Sequence, residues 1–251
     1  MQPLIIRPKI FNSWPEIISG VSSKIGEWRK KPFFFNLSFN VGDDEQIVKE
    51  NRNLFFNALN LSEEEAAIQN QIHSDVITYV NSPGNCGQSD AMITDKPGLA
   101  LAVSIADCTP ILIFDKDRKI IAAVHSGWRG TYQKILLKTI SKLTDDFHSD
   151  PTSLICYIGP SISQTNYEVD SEVAEKFPGK FSRKNNDKYL LDVSGINYYY
   201  LLKAGVKISN IQRSHLCTFA YKNILHSYRR DGAYSGRSLA VICMKDNLVD
   251  R

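Results

Sequence analysis

Apolar residues along this chain gather in short runs, each broken by polar or turn-forming residues. The runs at 33–39, 77–80, 99–105, 111–114, 120–125, 154–158 and 239–244 read as strands. Elsewhere apolar positions recur at helical spacing, at 44–58, 131–145, 171–177 and 196–204. Strands follow one another directly in places and alternate with helices in others, so the pattern predicts an α+β fold with a mixed sheet flanked by helices. No Pro/Gly/Ser-rich tract, low-complexity segment or solenoid-length repeat divides residues 1–251, which therefore read as a single layered domain.

Two of the predicted strands adjoin residues that a strand centre rarely carries. In Ile105-Ala-Asp-Cys-Thr-Pro-Ile-Leu-Ile-Phe114, Cys108 sits between Asp107 and Pro110 where the apolar pattern breaks. Free cysteine is among the most buried residue types, so Cys108 also reads as a core thiol, although its neighbours favour a strand end. The second run, Lys119-Ile-Ile-Ala-Ala-Val124, passes into His125-Ser-Gly-Trp-Arg-Gly130, and His73 stands alone in Asn70-Gln-Ile-His-Ser74.

A catalytic zinc usually takes three protein ligands and keeps a fourth position open. His73, Cys108 and His125 make such a set. Their wide separation suits ligands delivered by different strand ends, unlike the close cysteine pairs of structural zinc sites. Gly127 and Gly130 permit a tight turn and close backbone approach, and Arg129 between them offers a planar fork of donors for an oxyanion. Helical spacing over Ile135, Leu136, Thr139, Ile140 and Leu143 puts this turn near a helix N-terminus, where backbone N–H groups favour phosphate. A purely structural strand-to-helix turn with a surface arginine is the plainer alternative.

Composition narrows the classes. With 43% hydrophobic residues the chain can bury a sizeable core. Thirty basic against 27 acidic residues leave a formal charge of +3, too balanced to demand nucleic acid or an anionic membrane as partner. The cluster Arg29-Lys30-Lys31 reads as a solvated loop. The N-terminus lacks a basic region followed by a sustained apolar stretch, and no run approaches the roughly 20 apolar residues of a spanning helix. Five cysteines without close pairing fit a reducing compartment, so a cytoplasmic protein is expected. Cys156 and Cys243 lie in strand-like runs and read as core, Cys86 as a loop thiol. His215 beside Cys217 is weak evidence for a second metal, and His148 and His226 read as surface or hydrogen-bonding residues.

Many ordered motifs together resemble the YfiH family, also called DUF152 or the polyphenol-oxidase-type laccase family. Besides the two segments above, they are Asn36-Leu-Ser, Val41-Gly-Asp-Asp44 with Asn51-Arg52, Gln71-Ile-His73, Ser89-Asp-Ala-Met-Ile-Thr94, Ile158-Gly-Pro-Ser-Ile162 with Tyr167-Glu-Val169, Leu216-Cys-Thr218, and Ser227-Tyr-Arg-Arg-Asp231 with Gly236-Arg237. The resemblance implies a layered α+β fold and metal ligands at His73, Cys108 and His125. It implies polar pocket positions at Asn36, Arg52, Gln71 and Arg129, with Asp107 beside them. Two departures stand out: Ser23-Lys-Ile-Gly26 carries Lys24 where the family usually has arginine, and Ser126 replaces an alanine. A lysine cannot make arginine's bidentate pair, so substrate affinity would change if that position touches substrate.

The same resemblance implies a zinc-dependent purine nucleoside phosphorylase. Its substrates would be adenosine, and also inosine, guanosine and methylthioadenosine, cleaved with phosphate, with adenosine deamination as a second activity. It implies purine nucleosides and phosphate as partners, and a monomer or weak homo-oligomer is expected. Zinc lowers the pKa of bound water to about 7, which suits the deamination. For phosphorolysis, Arg52 and Arg129 would place the phosphate. Two other classes stay open. His₂Cys sets also bind copper, but five histidines fall short of a multicopper cluster and no methionine stands near Cys108 or His125 in sequence. A metal-free cysteine hydrolase would use Cys108 as nucleophile, His125 as base and a polar residue such as Gln71 as orienter or oxyanion donor, leaving His73 without a necessary role. A non-enzymatic interaction module would leave the convergence of these polar groups unexplained.

Overall fold

Three sheets carry the chain in the computed structural model, which describes residues 2–26 and 30–246 of the 251. In chain order the strands are β1 (Ile5–Ile6), β2 (Ile17–Ser22), β3 (Ala66–Asn70), β4 (Ile77–Tyr79), β5 (Gly84–Gln88), β6 (Ala91–Thr94), β7 (Ala100–Ile105) and β8 (Thr109–Asp115). They continue as β9 (Ile120–Ser126), β10 (Leu154–Ile158), β11 (Glu168–Val169), β12 (Ser182–Asn185), β13 (Lys188–Leu191), β14 (Ile211–Arg213) and β15 (Ser238–Met244). The α-helices are α1 (Glu45–Asn57), α2 (Trp128–Tyr132), α3 (Ile135–Phe147), α4 (Ser171–Ala174), α5 (Val193–Lys203) and α6 (Tyr228–Asp231). One mixed sheet runs β1-β2-β15-β7-β3-β5, a second runs β14-β10-β8-β9-β6-β4, and β11-β13-β12 form a small third.

The alternation of side chains shows how the layers stack. Along β15, Ala240, Ile242 and Met244 enter one core, while Leu239, Val241 and Cys243 enter another on the opposite face. In the second sheet, Leu112, Phe114, Ile121, Ala123, Ile155 and Tyr157 join the first of these cores, so the two large sheets face each other across it. Ile111, Ile113, Ala122, Val124 and Cys156 point the other way, against Ile135, Leu136, Ile140 and Leu143 of α3 and Leu201 of α5. The outer face of the first sheet is covered by α1 through Phe55 and Phe56. Strands buried on both faces explain why the sequence shows continuous apolar runs there instead of alternation. Each fully buried Leu, Ile or Phe contributes roughly 1.5–3 kcal/mol by leaving water.

The mixed α+β expectation holds, with two large sheets in place of one. The run at 33–39 is not a strand: Phe35 and Leu37 are both fully buried, but their N–H groups bond single carbonyls of Lys24 and Arg237, and Phe34 takes a left-handed φ of 53°. The helix expected at 131–145 is two helices, broken where Lys134 adopts φ 64°, which turns α3 onto the second sheet. The helix expected at 171–177 stops at Ala174, and α5 begins earlier than expected because the Asp192 carboxylate caps the Gly195 N–H at 2.7 Å. Cys156 and Cys243 are buried core thiols, whereas Cys86 lies in β5 instead of a loop. Arg29 of the basic cluster falls outside the described residues, while Lys30 and Lys31 are exposed. Among the described residues, no helix is long and apolar enough to cross a membrane.

His226, read from sequence as surface or hydrogen-bonding, is 2% exposed, with Nε2 3.2 Å from the Phe35 carbonyl. Burial, with Lys24 and Arg237 nearby, outweighs that hydrogen bond and pushes its pKa down to about 3 from 6.5. Between those values the unfolded chain binds a proton that the folded protein refuses. Stability contributed by neutral His226 is therefore fully present above pH 6.5 and falls as the pH drops. Unfolding free energies from urea titrations made downward from pH 6.5 should fall by about 1.4 kcal/mol per pH unit on this account, and His226→Asn, which keeps a donor for Phe35, should remove most of that slope.

Candidate metal centre and cleft

Sheet pairing delivers the three expected ligands to one place. Strands β3 and β7 run parallel with Ile68 opposite Ala102, so their C-terminal ends emerge side by side. From both ends the chain leaves the first sheet for the second. The segment after β3 carries Gln71 and His73 toward β4, and the segment after β7 carries Asp107 and Cys108 into β8. Strand β8 then pairs with β9 so that Pro110 faces His125, which sets Cys108 and His125 at the same sheet end. Ligand atoms of His73, Cys108 and His125 all lie within 4.8 Å of one another, with Cys108 Sγ 3.9 Å from His73 Nε2. The two imidazole rings are nearly perpendicular, at 84°.

A buried carboxylate organises this trio. Asp90 Oδ1 lies 2.8 Å from His125 Nδ1 and accepts the His73 N–H at 3.1 Å. Its Oδ2 accepts the Ile72 N–H, the Ser74 N–H and the Ser74 hydroxyl. Burial opposes charge on Asp90, but the bonds from His125 and Ser74 prevail and hold its pKa down to about 2. An ionised Asp90 fixes the His125 tautomer: Nδ1 donates, and Nε2 is left with its lone pair for a metal. Without a metal, burial would raise the Cys108 thiol, yet the His125 charge and bonds from both histidines bring it down to about 6. His125 shifts upward in turn, its burial outweighed by the thiolate and Asp90. These are the directions that ready a thiolate for metal binding or for attack.

Gly127 keeps the space beside the candidate ligands clear. A Cβ there would stand 3.0 Å from Cys108 Sγ and 3.2 Å from His73 Cδ2, so any side chain would crowd the ligand atoms. The role is close approach, since Gly127 has φ −75° and is not left-handed. Asp107, in contrast, is a non-glycine residue held at φ 90°. Its carboxylate accepts the Thr218 hydroxyl and the Arg229 N–H, both at 2.6 Å, and its carbonyl accepts the Ile162 N–H at 2.9 Å. Three segments thus pin the residue before Cys108.

The trio opens into a cleft of about 1110 Å³. Gln71 lines it, its amide bonded both ways to the Ser104 backbone, at 2.8 and 2.6 Å. Arg129 lines it with its guanidinium 4.6 Å from the Trp128 ring, and no carboxylate among the described residues pairs with it. The helix behind it, α2, is only five residues long, so the anion chemistry rests on the arginine itself. Arg52 reaches the cleft wall but is committed: Nε donates to the Leu37 carbonyl and Nη1 pairs with Glu63 at 2.6 Å. Asn36 is not brought to the cleft; fully buried, it spends its amide on Ser38, Asp43 and the Arg237 N–H. Lys24 also lies elsewhere, donating to the Lys222 carbonyl at 2.6 Å. Cys217 is surrounded by Ser163 and Asn166 donors, and among the described residues it and His215 belong to no group of three metal-ligating side chains.

Sequence reasoning assigned no role to Asp90, Tyr167, Tyr228, Arg229 or Arg237. The last four line the same cleft. All five stand inside the motifs quoted above, but the motifs carry no distances. Because Asp90 is the partner that sets the His125 tautomer, Asp90→Asn should weaken zinc binding about 10–100-fold, as loss of such carboxylate partners typically does. Competition against a chromogenic chelator measures it, with circular dichroism as the check on folding.

Comparison with known proteins places the chain. The family model described as multi-copper polyphenol oxidoreductase laccase matches residues 19–245. A purine nucleoside phosphorylase of Corynebacterium glutamicum is 36% identical over 216 residues, covering 83% of this chain and 86% of the relative. The purine nucleoside phosphorylase YfiH of Escherichia coli is 31% identical over 233 residues, covering 88% and 93%. Among solved structures, the Bacillus licheniformis hypothetical protein YfiH superposes with a TM-score of 0.91 at 27% identity, covering 97% of each chain. YlmD from Geobacillus stearothermophilus gives 0.89 at 29% identity, covering 95% of this chain and 94% of its own. With a matched family model over most of its length, relatives above the level of chance likeness and the same fold, this chain belongs to the YfiH family, whose model bears the laccase name.

Proposed function

We propose that this chain is a zinc-dependent purine nucleoside phosphorylase. It cleaves adenosine, and also inosine, guanosine and methylthioadenosine, with phosphate to give free base and ribose 1-phosphate, and it deaminates adenosine as a second activity. The observation that carries this reading is the convergence of His73, Cys108 and His125 at one end of a cleft that also carries Arg129, Arg229 and Arg237, whose guanidinium groups pair with no carboxylate among the described residues. Relatives named purine nucleoside phosphorylase support the substrate class. The role is that of a cytoplasmic enzyme acting on small molecules, with no nucleic-acid or membrane partner, as a single-domain monomer or weak homo-oligomer.

Two nitrogens and a thiolate at this spacing suit zinc, which would supply Lewis acidity to a bound oxygen. The chain's own residues do the rest. Asp90 holds His125 in the ligating tautomer, and Asp107 fixes the loop that presents Cys108. Arg129, Arg229 and Arg237 hold phosphate beside the sugar, while the aromatic faces of Tyr167, Tyr228 and Trp128 give a purine ring apolar surface to lie against. Arg52, neutralised by Glu63, shapes the wall instead of anchoring phosphate. The copper-oxidase reading is weaker. Besides the trio, His226 is buried in the fold and His148 caps the end of α3, while Met92 and Met244 lie in the core between the sheets.

A second reading has a specific observation behind it. Asp90, His125 and Cys108 stand in the order of a nucleophile triad, with the thiol held down to about 6 in the metal-free state. Chelation followed by zinc readdition separates the two: recovery of activity supports the metal enzyme, and alkylation of Cys108 that zinc does not slow supports the hydrolase.

Mass spectrometry of zinc-loaded protein with adenosine should show adenine and ribose 1-phosphate only when phosphate is present, inosine with or without it, and neither with Cys108→Ala. Absence of all three products from the unmodified protein would remove the purine assignment. Arg129→Met should raise the phosphate KM about 10–100-fold, the loss expected for bonds to a charged group. Arg52→Met should instead lower the unfolding midpoint while leaving the phosphate KM near that of the parent, and an unchanged KM in Arg129→Met would take phosphate away from that residue.

A further inference from the structure

Phosphorolysis leaves the purine as a poor leaving group unless it acquires a proton as the glycosidic bond breaks. The residues that ligate, position and bind in the reading above include none assigned to that task. The cleft walls offer few choices. His73, Cys108 and His125 are the ligand set. Glu63 is paired with Arg52, and the Asp107 carboxylate is occupied by the Thr218 hydroxyl and the Arg229 N–H. The arginines are too basic to surrender a proton. Only Tyr167 and Tyr228 remain among the titratable residues of the lining.

These two tyrosines differ in setting. Tyr228 is 56% exposed on the short helix α6. Tyr167 is half-buried, its ring backed by the apolar cluster of Val169, Phe177 and Leu191. Its backbone is fixed on both sides, the N–H donating to the Gln164 carbonyl at 3.2 Å and the carbonyl accepting from Leu191 at 3.0 Å. The Arg229 guanidinium caps the ring 4.9 Å from its centre. Among the described residues the Tyr167 hydroxyl has no hydrogen-bond partner, and it is not one of the buried orphan groups, so it is left to solvent or to a ligand in the cleft. A donor on a fixed backbone, uncommitted within the described protein and in a wall that also carries the candidate ligand trio and Arg129, is available to a ligand atom.

We propose that Tyr167 donates the proton that the departing purine base takes up. The assignment rests on the phosphorylase reading of the cleft and adds the missing acid to it. The C1′–N9 bond breaks with its electron pair moving into the base, a phosphate oxygen bonds to C1′, and the phenol proton passes to N7 of the base. Hydrogen phosphate gives up its own proton on becoming the sugar phosphate, and that proton restores the phenol, so the cycle balances. At neutral pH the phenol carries its proton and so has one to donate as the base develops negative charge.

The test compares guanosine with 7-methylguanosine, whose base already carries a positive charge and leaves without a proton from the enzyme. With zinc-loaded Tyr167→Phe, kcat on guanosine should fall about 10²–10⁴-fold, the usual contribution of a general acid. The rate on 7-methylguanosine should stay near that of the parent. Zinc content and thermal unfolding midpoint, both expected unchanged, show that the variant is folded and loaded. Equal loss on both nucleosides, or no loss on guanosine, overturns the assignment while the phosphorylase reading stands. Unmodified protein that phosphorolyses neither nucleoside overturns both.

Discussion

The carboxylate of Asp90 takes hydrogen bonds from the backbone of Ile72, His73 and Ser74, from the Ser74 hydroxyl and from the His125 ring. Those donors come from a loop that crosses between the two large sheets and from the end of a strand in the second sheet. Burying an ion costs free energy that only several good hydrogen bonds offset, and Asp90 has them. One anion therefore sets the left-handed turn that carries His73, the tautomer of His125 and the separation of the two rings. Remove its charge and the three candidate ligands lose both a position and an orientation, although Asp90 is not one of them.

The cleft follows from the same architecture. Strands β3 and β7 are parallel neighbours, so the chain leaves the first sheet from both at the same strand end, and both times crosses to the second. Crossover loops at a common end concentrate irregular backbone where a ligand can reach it, while the layers behind keep that backbone fixed. Asp107 shows the cost and the use of this arrangement. A non-glycine residue at φ 90° is strained, and the bonds from Thr218, Arg229 and Ile162 hold it there so that Cys108 faces the histidines.

Charge in the cleft is divided by partner as much as by residue type. Arg52 and Arg129 look alike in sequence, yet Glu63 and the Leu37 carbonyl consume the first while the second keeps its donors free. Asn36 and Lys24, which the family resemblance or its departures brought forward, are spent on loop backbone away from the cleft. Tyr167 shows the converse, a residue to which the sequence motifs gave no role but which lines the cleft with its hydroxyl unbonded to any described residue.

The sequence by itself determined the class of fold, most of the buried strands and the three metal-ligand candidates. Continuous apolar runs can only be buried on both faces, and soft ligands beside Asp, Pro and Gly have little reason to lie in a core. Local pattern failed where tertiary contacts overrode it: at 33–39 the alternation of Phe35 and Leu37 is genuine but no strand lies alongside, and Lys134 breaks a helix that periodicity runs straight through. Only the tertiary structure decided that there are two facing sheets, that Asp90 belongs to His125, and which arginines are free. Those facts are distances between residues far apart in the chain, and a hydrogen bond or an ion pair is set by proximity in space, which composition and periodicity do not encode.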